Sequence, residues 1–156
     1  MTAGAEAPVA AGSPAPEFTL RREDGGGFTR ADLLGHRTVL VFYPFAFSPV
    51  CTDQLSLYND VLADFAAQGA TLYGVSCDAG PSQIAFKEQL GISIEQLSDF
   101  EPKGASCREF GLLHPGGFAQ RALVLIEPDG IVSWSYQAPT PGDLPGANLI
   151  FDALAH

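Results

Sequence analysis

Cys51 is the residue of this chain whose surroundings most plainly suggest chemistry. It follows Ser48-Pro49-Val50, and Ser followed by Pro is how a helix begins: Ser as N-cap, Pro at the first helical position. That count puts Cys51 at the third helical residue, inside the first turn. Unpaired backbone N–H groups and the positive end of the helix dipole converge there. A thiol so placed ionises more readily than a free one, and the thiolate is the form that acts as nucleophile. The segment also follows a buried strand, at the edge where open α/β sheets bind ligands. Against this stands the plain fact that free Cys is among the most buried and inert residue types. The same local grammar gives Ser48 an ordinary role as a cap and Pro44 one as a strand terminator.

The other reactive residue types offer less. Cys77 and Cys107 are far from Cys51 and from each other in sequence, with no CxxC spacing. Three scattered cysteines make a poor disulfide framework and a poor zinc site, and suit a reducing cytoplasm. His36, His114 and His156 lack metal-ligand spacing, and Ser48, Asp53 and the histidines form no hydrolase elbow. Trp134 and Phe42 are most simply core aromatics. No metal and no cofactor is expected.

The elements that must hold Cys51 can be read around it. Thr38 to Tyr43 is apolar on both faces and rich in β-branched and aromatic residues, the pattern of a central strand. Val50 to Gln68 has helical apolar spacing and is ended by Gly69. Thr71 to Ser76 is a second buried strand, Pro81 to Leu90 a second helix stopped by Gly91, and Lys103 to Phe110 a further helix. Ala122 to Ile126 and Ile131 to Tyr136 flank Glu127-Pro128-Asp129-Gly130, a hairpin signal. Asn148 to Ala155 closes the chain as a helix. Upstream, Glu17 to Leu20 begins a short strand, Asp24 to Gly27 turns, and Thr29 caps a short helix through Leu34. This order of elements is a thioredoxin-like α/β arrangement, a central mixed sheet flanked by helices.

With 156 residues, 46% of them hydrophobic and 17% charged, the chain is large enough for one genuine core. Residues 1–13, in an Ala-, Gly- and Pro-rich stretch, are expected as a flexible tail and 14–156 as a single domain. A net charge of -10 argues against nucleic acid, whose phosphates need clustered Lys and Arg. The longest apolar stretch, Val39 to Phe47, is too short to span a bilayer, and no signal peptide is visible, so a soluble cytoplasmic protein is expected.

The run Phe42-Tyr43-Pro44-Phe45-Ala46-Phe47-Ser48-Pro49-Val50-Cys51-Thr52 resembles the peroxiredoxin signature: Pro, three residues, Thr or Ser, two residues, Cys. Asp24-Gly25, Tyr73-Gly74-Val75-Ser76, Leu97-Ser98-Asp99, Phe110-Gly111 and Pro128-Asp129-Gly130-Ile131 resemble that family's landmarks in the right order. The likeness covers about residues 14 to 155 and is nearest to the alkyl hydroperoxide reductase E and bacterioferritin-comigratory types. It implies a thiol-dependent peroxidase acting on hydrogen peroxide and organic hydroperoxides. Cys51 would be the peroxidatic cysteine, passing through a sulfenic acid. Ser48 would hydrogen-bond peroxide and thiolate, Pro44 would shield the sulfur, and Arg121 matches the family's second-site arginine. Gln54, three residues after Cys51, stands where the family commonly has Glu or Gln. The implied partners are a hydroperoxide, a thiol reductant (thioredoxin, a glutaredoxin-like protein or a low-molecular-weight thiol) and a second copy of the chain in a homodimer.

Two other classes stay open at this point: a thiol–disulfide oxidoreductase of the same fold, which would want CxxC where this chain has Gln54, and a non-catalytic module with Cys51 merely buried. How an oxidised Cys51 would be restored is open too. The position five residues on, where the bacterioferritin-comigratory type often has a second cysteine, is Ser56. Cys77 ends a strand expected to lie parallel to the one leading into Cys51, so it is a candidate resolving residue. The alternative is a one-cysteine enzyme with Cys77 and Cys107 in the core.

Overall fold

The computed structural model describes residues 8–155. In chain order the elements are β1 (Thr19–Arg21), β2 (Gly27–Thr29), a 3-10 turn (Arg30–Leu33), β3 (Arg37–Phe42), α1 (Pro49–Asp60), α2 (Leu62–Ala67), β4 (Ala70–Ser76), α3 (Gly80–Leu90), β5 (Glu95–Ser98), α4 (Ala105–Glu109), β6 (Ala122–Ile126), β7 (Val132–Gln137) and α5 (Ala147–Leu154). The strands form one sheet in the order β2-β1-β5-β4-β3-β6-β7. β3, β4 and β5 run parallel, while β6 and β7 close that side antiparallel.

The continuous apolar run of β3 makes sense because both faces of the sheet are covered. Leu40 and Phe42 point into one core layer with Val75, Leu97, Cys77 and Cys107. Val39 and Val41 point into the other, with Tyr43, Cys51, Leu55 and Tyr58. Because side chains alternate along a strand, the two layers take alternate residues of the same segment. Gly74 of β4 is needed where it stands: a Cβ there would lie 2.6 Å from Gln96 Oε1. The space it leaves lets the Tyr43 hydroxyl donate to that oxygen at 2.6 Å, tying the end of β3 to β5.

Several expectations shift. The helix expected over Val50 to Gln68 breaks at Val61, whose ψ of 21° and φ of −116° leave the helical region. Near that break the Asn59 side chain accepts the Ser93 N–H at 2.8 Å, tying the end of α1 to the segment before β5. The helix capped by Thr29 is only a 3-10 turn ending at Leu33, with the Asp32 carboxylate accepting the Thr29 N–H. β2 and β5 were not expected; at three and four residues they are too short to show a period. Of the tail expected over 1–13, residues 1–7 lie outside the described residues, and the remainder is bonded to the domain. Val9 N–H donates to Phe110 O at 3.0 Å, Gly12 N–H to Val132 O at 2.7 Å, and Val132 N–H to Ser13 O at 2.8 Å. The short α4 is held by a residue outside it: the Asp99 carboxylate accepts the N–H groups of Ser106 and Cys107 at 3.0 and 2.8 Å. No helix among the described residues is long and apolar enough to cross a membrane.

Candidate active site

α1 begins as its sequence demands. Ser48 is the N-cap residue in extended conformation, Pro49 is the first helical residue, and Thr52 N–H closes the first turn on Ser48 O at 2.9 Å. Cys51 is therefore the third helical residue, and it is fully buried. The Ser48 hydroxyl does not cap the helix; it donates to Phe45 O at 2.9 Å. The loop before the helix is pinned on both sides. Ala46 N–H donates to the Asp78 carboxylate at 2.8 Å, Phe45 packs on Phe118 and Phe47 on Phe86. Phe47 has a φ of 70°, a left-handed conformation that costs a side-chain-bearing residue about 1–2 kcal/mol. The pins around it supply the restraint that holds this strained residue in place.

Arg121 comes from the neighbouring strand at the same sheet edge. Phe42, the last residue of β3, pairs with Ala122, the first of β6, so the residue before β6 lands beside the start of α1. Arg121 is only 2% exposed, and each part of its guanidinium is engaged. Nη2 donates to Cys51 Sγ at 3.1 Å, Nη1 to Gln54 Oε1, and Nε to Pro141 O at 2.7 Å. None of these partners is a carboxylate, and no salt bridge among the described residues includes Arg121. A buried cation needs a counter-charge, and the one ionisable group it touches is the Cys51 thiol.

The network continues outward. Gln54 Nε2 donates to the Tyr58 hydroxyl at 3.1 Å, and that hydroxyl donates to Pro145 O at 2.7 Å. Burial pushes the Tyr58 phenol up to about 12, so it stays a neutral donor at ordinary pH. Cys51, Gln54 and Tyr58 sit at i, i+3 and i+7 of α1, one face of the helix. In front of this cluster lies a cavity of about 290 Å³, walled by Pro44, Phe45, Ser48, Val50, Phe118 and Arg121 among others. Its walls are largely apolar, with the guanidinium and the Ser48 hydroxyl as polar exceptions.

Pro44, Ser48, Cys51, Gln54 and Arg121, all singled out from the sequence, are thus brought together. Tyr58, Pro141, Pro145 and Phe118 join them without having been foreseen. The spacing of Tyr58 on the Cys51 face of α1 was a usable signal; the carbonyls of Pro141 and Pro145 left none. Cys77 is not part of this cluster. β3 and β4 do lie parallel and adjacent, but Cys77 shares the core layer of Phe42 and Val75, whereas Cys51 belongs to the layer of Val41 and Tyr43. The sulfur beside Cys77 is that of Cys107, 3.9 Å away.

Residues 11–135 match the model of the AhpC/TSA family. Alkyl hydroperoxide reductase E of Mycobacterium tuberculosis is 31% identical over 146 residues, which cover 92% of this chain and 95% of that protein. Among solved structures, the peroxidoxin BcpB of Mycobacterium tuberculosis superposes with a TM-score of 0.78 at 26% identity, over 93% of this chain and 94% of that one. Peroxiredoxin Q of Xanthomonas campestris does so with a TM-score of 0.76 at 27% identity, over 88% and 89%. The chain belongs to the AhpC/TSA family of peroxiredoxins and has their thioredoxin-like fold.

Proposed function

We propose that this chain, a thiol-dependent peroxidase of the peroxiredoxin class, reduces hydroperoxides at Cys51. The thiolate attacks one peroxide oxygen, the O–O bond breaks, and Cys51 becomes a sulfenic acid while an alcohol or water leaves after taking up a proton. Two equivalents of thiol then restore Cys51, releasing water and a disulfide. The observation that carries this reading is the buried Arg121 guanidinium, 3.1 Å from Cys51 Sγ and lacking any carboxylate. It stabilises the thiolate before the reaction and, as a fixed donor, the negative charge that develops on the leaving oxygen.

The remaining roles follow from position. Ser48 has a hydroxyl that can rotate from Phe45 O towards a bound peroxide, donating or accepting as the reaction needs. Pro44 walls off the site without offering a competing donor. The apolar cavity has room for the organic part of an alkyl hydroperoxide as well as for hydrogen peroxide. Gln54 fills the position where a dithiol oxidoreductase would carry its second cysteine, and its carbonyl is committed to Arg121. With Cys77 in the other core layer, the reductant of Cys51 comes from outside the chain: thioredoxin, a glutaredoxin-like protein or a low-molecular-weight thiol. A homodimer and a cytoplasmic setting belong to the same proposal. The first rests on the family resemblance, the second on the sparse, odd cysteine count.

The test is Cys51→Ser, whose hydroxyl is nearly isosteric but too weakly acidic to ionise here. Peroxide consumption is expected to disappear while the folded structure, followed by circular dichroism, persists. Consumption near the parent rate in a folded variant would refute the assignment.

A further inference from the structure

Cys77 and Cys107 play no part in the chemistry above, yet their sulfurs lie 3.9 Å apart in the core layer of Phe42 and Val75. The two are 30 residues apart in sequence and come from separate places, the residue just past the end of β4 and the middle of α4. Two features set them apart from ordinary core cysteines. Cys107 is completely enclosed, whereas Cys77 retains 5% exposure and lines a cavity of about 280 Å³ together with Asp78, Ser82, Phe100 and Lys103. That cavity shares Pro44, Phe45 and Phe118 with the one in front of Cys51, so the two have part of their walls in common. Asp99 brings a carboxylate within 4.8 Å of both sulfurs. Both its oxygens, however, already accept backbone N–H groups of α4, which makes the pair of sulfurs, rather than a three-ligand cation site, the reactive feature.

We propose that Cys77 and Cys107 are a second thiol centre, a dithiol that exchanges with a small zwitterionic disulfide entering the cavity and closes to an intrachain disulfide. Cys77 is the attacking sulfur because it alone of the two reaches the cavity. Lys103 and Asp78, of opposite charge, line the same cavity and suit a ligand carrying both a carboxylate and an ammonium group. The Cys107 thiol hydrogen-bonds to Cys77; that contact holds the Cys77 thiol below its usual value and pushes Cys107, which is also buried, well above. The nucleophile and the cavity therefore coincide on one sulfur.

The Cys77 thiolate attacks one sulfur of the small disulfide, that S–S bond breaks, and one thiolate leaves, leaving Cys77 in a mixed disulfide. Cys107 gives up its proton and attacks the Cys77 sulfur, expelling the second thiolate. Two electrons have passed from the cysteines to the small molecule, and two thiols result. Closing the pair asks the sulfurs to move from 3.9 Å to the bond length of about 2.0 Å. The reverse exchange with excess thiol reopens it.

The experiment uses oxidised glutathione and is independent of peroxidase activity, because it is run on Cys51→Ser as well as on the unaltered chain. Both proteins are incubated with oxidised glutathione, alkylated under denaturing conditions and peptide-mapped without reduction. A Cys77–Cys107 linked peptide is expected in both, and it is expected to vanish on treatment with excess reduced glutathione. In Cys107→Ser, Cys77 is expected to carry one glutathionyl group, while in Cys77→Ser, Cys107 stays unmodified. Cys77 and Cys107 both fully alkylated after the incubation would overturn the proposal, as would glutathionylation of Cys107 in preference to Cys77. The mapping of the unaltered chain decides the matter even if a serine variant fails to fold.

Discussion

Arg121 Nη2 donates to Cys51 Sγ at 3.1 Å, from a side chain that is itself buried and meets no carboxylate. The relation ties the fold to the chemistry. Antiparallel pairing of β3 with β6 delivers the guanidinium to the N-terminal turn of α1, where the helix already presents its unpaired N–H groups. The contact pairs a buried cation that meets no carboxylate with the one nucleophilic side chain it touches.

Arg121→Ala is expected to slow the reaction with hydrogen peroxide by at least about 10²-fold, the usual cost of removing one donor aimed at the developing charge. Arg121→Lys is expected to recover little, since an ammonium cannot serve Cys51, Gln54 and Pro141 at once as the planar fork does. Stopped-flow measurement of peroxide consumption decides; an Arg121→Ala rate within threefold of the parent would remove the guanidinium from the mechanism.

Tyr58→Phe deletes the hydroxyl that joins Gln54 to Pro145 O. A stability loss of about 1–3 kcal/mol is expected, because Gln54 Nε2 and the Pro145 carbonyl lose a partner. The peroxide rate should fall far less than for Arg121→Ala, as Tyr58 acts only through Gln54. Urea unfolding and the same kinetic assay together separate the two effects.

Cys51 and its helix were legible because their signals are local. Ser48-Pro49 sets the helix start within three residues of the thiol, and Gln54 falls on the same face. Arg121 is another matter: nothing near it in sequence says that it meets Cys51, 70 positions away, and only the family likeness pointed to it. Tyr58 and Pro145 are 87 positions apart, and such a contact depends on how the loop between β7 and α5 returns to α1 rather than on any periodicity. The two missed strands, β2 and β5, are stabilised by neighbours in the sheet rather than by their own composition. Cys77 lies in the other core layer from Cys51 for a definite reason. Parallel neighbours do end at the same sheet edge, but the alternation Val75, Cys77 sends the thiol to the Phe42 side, away from α1 and Cys51.

Asp99 offers a test through pH. Burial raises its carboxyl above the ordinary 3.8, only partly offset by the N–H groups of Cys107 and Ser106. The folded chain then keeps a proton that the unfolded chain has already lost. The stability Asp99 contributes is present in full below about pH 3.8 and falls as pH rises through its folded value. Asp99→Asn should flatten that part of the stability–pH curve relative to the parent in urea titrations. It should also cost about 1–3 kcal/mol at neutral pH by leaving one α4 N–H without an acceptor. An unchanged pH dependence would show that Asp99 titrates alike in both states.

The identity of the peroxidatic sulfur can be read in a single turnover. Fully reduced protein is mixed with one equivalent of hydrogen peroxide in the absence of thiol, trapped within seconds with a sulfenic-acid reagent and an alkylating agent, and mapped by mass spectrometry. The adduct of the sulfenic-acid reagent is expected on Cys51 alone, with Cys77 and Cys107 recovered as alkylated thiols. Oxidation that appears first at Cys77 or Cys107, with Cys51 still alkylated as a thiol, would contradict it.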